Sequence, residues 1–323
     1  MMLRIAVLWL ALVGVTQAQQ EAQGWPAKPV RIIVPFTLGG ATDIVARIIA
    51  PALADVLGQS FIVENRPGAG GNIGVELVVR APADGLTVLV GNISTNAINP
   101  TEFAKSLKFN AVKDLTGVTL IASVPTVLVA GAQFPPNNLR ELIEYARARP
   151  GELNFSNPIG AYSHLDTLDL SARTGIKLVH VPSKGAGTAV TPLLSGEIHF
   201  SFLTASAVVT YIRGGKLKAY ATTSPQRLPE LPDVPTMAEV GFSGVGSVNW
   251  NGLFLPVKTP RPIVNKLYAA TLQVMQRAQI RDAFVNSFVP ITLSKSPEEF
   301  QQYVEAQAAR WERVVREHNV RLE

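Results

Sequence analysis

Four short segments concentrate residue types suited to binding a small anion: Phe36 to Thr42, Gly91 to Asn96, Ser156 to Ser163 and Ser183 to Thr188. All four are rich in Gly, Ser, Thr or Asn. Small residues leave backbone N–H groups accessible. Several such groups converging beside helix N-termini hold negative charge without a flexible cation. Taken singly, each segment also reads as a turn that needs positive φ. Four of them at strand ends point instead to one ligand site.

The machinery of catalysis is sparser. His164, His180, His199 and His318 show no metal spacing such as HxxxH, and His180 and His199 fall in or beside predicted strands, where a hydrogen-bonded structural role is expected. There is no GxSxG nucleophile elbow and no Walker lysine loop. The run Gly68-Ala69-Gly70-Gly71-Asn72-Ile73-Gly74 superficially matches a dinucleotide loop, but Ile73 stands where the third glycine belongs. Asp43 fits a general base, and equally a helix cap favoured by the dipole. The chain has no cysteine, which excludes disulfides, thiolate nucleophiles, cysteine metal sites and a lipoprotein anchor.

Strands and helices must place these segments. Val30 to Pro35, Phe61 to Val63 and Thr87 to Val90 read as strands. A helix carrying Ile44, Ile48 and Ala52 follows the first, and Pro51 predicts a kink or restart there. A second block repeats the alternation: strands at Thr126–Ala130, Leu153–Phe155, Leu178–Val181, Ile198–Leu203 and Lys218–Thr222, with helices at Leu139–Arg149, His164–Thr174 and Thr188–Leu194. Gly252–Pro256 is a further strand, followed by helices at Ile263–Arg277 and Pro297–Glu317. Alternation at this spacing predicts an α/β protein with parallel sheets and crossover helices. Two such blocks predict two lobes, with the ligand cleft beyond the carboxyl ends of the strands. Phe300, Val304, Ala308, Trp311 and Val315 fall on one helical face and are expected to be core.

Composition agrees with a folded chain: 47% hydrophobic residues, 16% charged and a formal charge of +5, with a mean hydropathy of +0.21. The basic residues form no cluster, so no nucleic-acid partner is expected. Residues 1–18 carry Arg4, an apolar run from Ile5 to Val15 and the small-x-small triplet Thr16-Gln17-Ala18. That layout predicts a signal peptide, cleaved to release an exported, periplasmic protein.

The chain resembles the tripartite tricarboxylate transporter receptors, the periplasmic solute-binding proteins also called the Bug family. The matching residues are Trp25-Pro26, Lys28-Pro29-Val30, Pro35-Phe36, Gly39-Gly40, Thr42-Asp43 and the run from Val63 to Gly74. Further matches are Ala83-Asp84-Gly85, Pro150-Gly151, Ser163-His164-Leu165, Val181-Pro182, Lys184-Gly185, Leu231 to Thr236 and Gly252-Leu253-Phe254. The resemblance implies a type II periplasmic binding-protein fold, with one lobe from residues 19–124 plus 252–323 and the other from 125–251. The crossings would lie near Pro125 and Asn251. It also implies a monomer without catalysis, cofactor or metal, which captures a small organic carboxylate and hands it to the membrane subunits of a tripartite transporter.

Carried over by motif, the carboxylate site would comprise Phe36, Gly39, Gly40, Thr42 and Asp43 from one lobe, and Ser163, His164, Lys184, Gly185 and Thr188 from the other. Ser94, Thr95, Ser156 and Asn157 line the same cleft by position. Lys184 either pairs with the ligand or stays solvated. Many members carry an Asp after the strand Ile198–Leu203, where it can pair with the ammonium of an amino acid. This chain has Thr204-Ala205-Ser206. A ligand without positive charge is therefore expected: a di- or tricarboxylate, or an aromatic acid stacking on Phe36. Two other readings stay open: a receptor presenting ligand to a sensor kinase, and an exported hydrolase or lyase using Asp43 and His164. The latter needs those two side chains within about 2.6–3.2 Å or bridged by one water.

Overall fold

The computed structural model describes residues 24–184 and 186–317. The expected signal peptide, Gly185 and His318 lie outside them. Three strands of the first lobe run parallel: β1 (Val30–Val34) between β2 (Phe61–Asn65) and β3 (Thr87–Asn92). The crossover helices are α1 (Ala41–Leu57) and α2 (Asn72–Val79). In the second lobe β5 (Asn154–Asn157) pairs in parallel with β6 (Val179–Pro182) and β7 (Phe200–Thr204). Helices α3 (Leu139–Arg147), α4 (Tyr162–Thr174), α5 (Ala186–Ser195) and α6 (Ala205–Arg213) surround these strands.

The expectation of wholly parallel sheets is corrected by three strands. β4 (Leu115–Gly131), β8 (Leu217–Thr222) and β9 (Val248–Pro256) all pair antiparallel, giving the order β2-β1-β3-β9-β4-β7-β5-β6 with β8 also on β4. β4 is longer than the predicted Thr126–Ala130 strand and serves both lobes. Leu115 to Pro125 pairs with β9, and Thr126 to Gly131 pairs with β7 and β8. The change of partner falls where Pro125 has no N–H to continue the ladder. Thr126 N–H then turns to Thr223 Oγ1 at 2.9 Å.

Pro51 neither ends nor restarts α1, which runs unbroken from Ala41 to Leu57. The proline sits on the exposed face, where water can take the Arg47 carbonyl that loses its helical donor. Among the helices that escaped the sequence pattern are α6, α8 (Ala278–Asn286), which follows α7 (Arg261–Gln276), and the short turns Asn99–Glu102 and Ala111–Asp114.

The last helix, α9 (Pro297–Glu317), closes the first lobe as its stripe predicts. Phe300, Val304, Trp311 and Val315 are buried in one cluster with Trp250 and Phe254. Phe300 meets the Trp250 ring edge-on at 6.0 Å and the Phe254 ring at 5.1 Å. The helix lies this close because Gly252 and Gly117 present bare Cα atoms to the Phe300 ring. Tyr162 and Leu165 from the second lobe join the same cluster, so part of the seam between lobes is apolar.

Phe300→Ala should therefore cost about 3–5 kcal/mol, read as a lower denaturant midpoint. Gly252→Ala, which drives a methyl group into the same ring, should cost about 1–3 kcal/mol.

Candidate functional site

The loops at the carboxyl ends of β1, β3, β5, β6 and β7 enclose a cavity of about 40 Å³ between the lobes, with Asn249 of β9 completing its wall.

Three helices begin at this cavity: α1 at Gly40, α4 at Ala161 and α6 at Thr204, and no side chain caps any of them. An uncapped first turn leaves N–H groups without partners and concentrates about half a positive charge at its end. Among the described residues no carbonyl or side chain accepts from the N–H of Ala41, Thr42 or Ser163, all of which line the cavity. Polar side chains add to them. Thr37 Oγ1, Ser183 Oγ and Asn249 Oδ1 are buried, line the cavity and have no hydrogen-bond partner. No Asp, Glu, Lys, Arg or His is among the described lining residues. Phe36, Phe202, Leu203 and Pro158 supply the apolar part of the wall.

The remaining polar groups hold one another in place. Thr42 Oγ1 donates to Asn251 Oδ1 at 2.7 Å, and Asn92 Oδ1 accepts the N–H groups of Ser94 and Thr95. Ser94 Oγ accepts from Tyr162 N–H at 3.0 Å, a bond between the lobes. Asn157 Nδ2 donates to Ser201 Oγ and to the Phe202 carbonyl.

Of the residues expected at the site, Phe36, Gly40, Thr42, Ser94, Asn157, Ser163 and Thr204 line the cavity. Others stand behind it. Asp43 is buried, and its carboxylate is already filled by the Gly39 N–H at 3.0 Å, Arg47 Nε at 3.0 Å and Asn65 Nδ2 at 2.9 Å. It fastens the β1–α1 loop, in which Gly39 takes the left-handed φ of 84°. Thr95 bonds to Asn96 Oδ1, and Ser156 gives its carbonyl to Ser201. Lys184 and Thr188 are exposed and do not line the cavity, and Gly185 is outside the described residues.

His164 also supports the wall. Its Nδ1 accepts the Gly160 N–H at 3.2 Å, and its ring stacks on His180 with centroids 4.0 Å apart. His180 Nε2 meets the Asn157 carbonyl at 2.9 Å. Burial, with the His180 ring beside it, pushes the His164 imidazole down to about 3. His199 has the structural role expected of it, bonded through Nδ1 to Asn154. Asp43 and His164 share no direct hydrogen bond: Asp43 is engaged by Gly39, Arg47 and Asn65, and His164 by Gly160. Asn249, Phe202 and Leu203 were missed from sequence because they lie within strands, outside the four loop segments that the small polar residues single out.

Residues 45–320 match the family described as tripartite tricarboxylate transporter family receptor. BugT of Bordetella pertussis (strain Tohama I) is 34% identical over 322 residues, covering 99% of this chain and 98% of its own. Among solved structures, MatC from Rhodopseudomonas palustris with bound malate is 34% identical, with TM-score 0.86 over 90% of this chain and 100% of its own. An R. palustris protein with adipate is 32% identical, with TM-score 0.86 over 92% and 99%.

Asp43→Ala should leave the chain folded, cost about 1–3 kcal/mol through its orphaned donors, and speed amide exchange at Gly39. For His164, the unfolded imidazole binds a proton below its ordinary value of 6.5, whereas the folded one stays neutral to about 3. Stability should therefore fall as pH drops through that window, with a slope approaching 1.4 kcal/mol per pH unit from this residue. His164→Gln should flatten that limb in pH-dependent denaturation curves.

Proposed function

The chain belongs to the tripartite tricarboxylate transporter receptors, periplasmic solute-binding proteins rather than enzymes, and on that premise we propose that it captures a small organic acid without an amino group. One carboxylate of the ligand enters the cavity and takes the N–H groups of Ala41, Thr42 and Ser163. The three uncapped helix starts facing one cavity without charged side chains carry this reading. A desolvated carboxylate costs several kcal/mol unless several donors meet it. An ammonium group would find no carboxylate in the described wall, and Thr204 stands where an acid would be needed.

Malate and adipate in the related structures make an aliphatic dicarboxylate the first candidate. The ligand's far end would rest against Phe36 and Phe202. The lobes, residues 19–124 plus 252–323 and 125–251, close by bending where the chain crosses near Pro125 and Asn251. The closed complex then delivers its ligand to the membrane subunits of a tripartite transporter.

A thermal-shift screen of aliphatic di- and tricarboxylates, aromatic acids and amino acids tests the ligand class. A ligand at about 100 times its Kd adds about 2.7 kcal/mol, a rise of several degrees at roughly 2–4 °C per kcal/mol. Hits confined to amino acids would overturn the charge argument. With any hit, Ser163→Pro removes one donor in the first turn of α4, where no helical hydrogen bond is lost. Affinity should fall about 10- to 100-fold relative to Ser163→Ala, the worth of one hydrogen bond to a charged group. Equal affinities would remove that N–H from the site.

A further inference from the structure

Glu102 lies at the seam between the lobes with a carboxyl group that no described residue satisfies. It ends the short helical turn Asn99–Glu102 of the first lobe. Both carboxyl oxygens are buried and without a hydrogen-bond partner. They press on the bare Cα of Gly160 in the second lobe, so closely that a Cβ there would fall onto Oε2 and lie 2.8 Å from the Phe103 ring. Gly160 belongs to the loop that carries the cavity residues Pro158 and Ala161. Beside it, a Cβ at Gly70 would stand 2.9 Å from the Ile159 carbonyl. The second-lobe loop thus packs on Glu102, Phe103 and Gly70 together.

No charge compensates the group. Burial alone raises its pKa from 4.5 to about 8, with no contribution from any charged side chain. The titratable groups facing it from α4 are His164, neutral and occupied with the Gly160 N–H, and buried Tyr162. Helix α9, which packs on the turn, carries Glu305, Arg310, Glu312 and Arg313, and none of them adds to the burial that shifts the carboxyl group. On its own turn the flanking residues are Asn99 and Phe103, neither ionisable.

Opening the seam would return the carboxyl group to water and its ordinary ionisation. Building on the two-lobe closure proposed above, we propose that closing takes up one proton on Glu102, so that capture of the ligand strengthens as pH falls. The sign follows from the two states. Below the open-state pKa both are protonated and closing is independent of pH. Between about 4.5 and about 8 only the closed state holds the proton. There the closed-to-open ratio falls up to tenfold for each unit of rising pH. Above that window it is again flat.

The test uses the absence of native cysteine. Arg80→Cys in the first lobe and Arg140→Cys in the second, both exposed, take spin labels that report the distance between lobes. Distance distributions are recorded from pH 5 to pH 9, bracketing that window, with and without L-malate or adipate, in this protein and in its Glu102→Gln form. Carboxyl-carbon NMR of the otherwise unaltered protein follows the Glu102 proton directly, its signal identified by its loss in Glu102→Gln. The expected result is a Glu102 titration well above 4.5, a short-distance population that shrinks over the same pH range, and no such change in Glu102→Gln. A Glu102 titration in the ordinary carboxylate range overturns the proposal. So does a pH profile shared by both proteins, or a closed population that follows added Na⁺ or Ca²⁺ at fixed pH. If the distance moves on adding an acid, alike in both proteins at every pH, the binding reading stands and Glu102 has no part in it. If it moves under no condition, lobe closure fails as well.

Discussion

Backbone N–H groups can face a cavity only where the helix that carries them is left uncapped, and this constraint governs how three of the chain's helices begin. Serine, threonine, aspartate or asparagine usually cap a helix by accepting its first N–H groups. Here α1 starts at Gly40 and α4 at Ala161, residues that have no side-chain acceptor, and α6 starts at Thr204, whose hydroxyl does not cap. Each helix forgoes a local stabilisation worth about 1 kcal/mol, and α1 and α4 turn the N–H groups of Ala41, Thr42 and Ser163 to the cavity. By contrast, α3, which has no share in the cavity, is capped by Asn138 through the Glu141 N–H.

Donors held by backbone are only as fixed as their loops, and the strongly polar residues nearby serve that end. Asp43 fills its carboxylate with Gly39, Arg47 and Asn65. His164 and His180 tie down opposite ends of one loop, at Gly160 and Asn157. Asp166 takes both the N–H and the hydroxyl of Ser247, two residues before Asn249. Asp and His side chains brace the wall from behind, while no Asp, Glu, Lys, Arg or His is among its described residues. A cation in the wall would bind an anion tightly but indiscriminately. Oriented N–H groups on rigid turns demand shape as well as charge.

Much of this was legible in the sequence, within definite limits. The Gly/Ser/Thr/Asn segments lie where β1, β3, β5 and β6 end, because the residues that free a backbone N–H also terminate strands. The stripe from Phe300 to Val315 became core because its spacing leaves one continuous apolar face. What composition cannot give is the direction of a side chain. Asp43 and His164 have the chemistry of ligand contacts, yet tertiary packing turns both away from the cavity. Lys184, the only cation of the four segments, stays in solvent. The first half of β4 was hidden because Gly117 and Pro125 punctuate it. That glycine is required by the Phe300 ring rather than by any turn.

The register between β4 and β9 has a further meaning. Pro125 lies directly opposite Val248, so residues 126–247 begin and end at neighbouring points of one antiparallel pair, about 5 Å apart. Everything between those residues is topologically an insertion in a hairpin. The second lobe could be exchanged for that of a relative, or the two strands rejoined by a tight turn, without rerouting the first. A fold spliced at a single pair of adjacent residues can diversify half of its binding wall as one module while the other half stays unchanged.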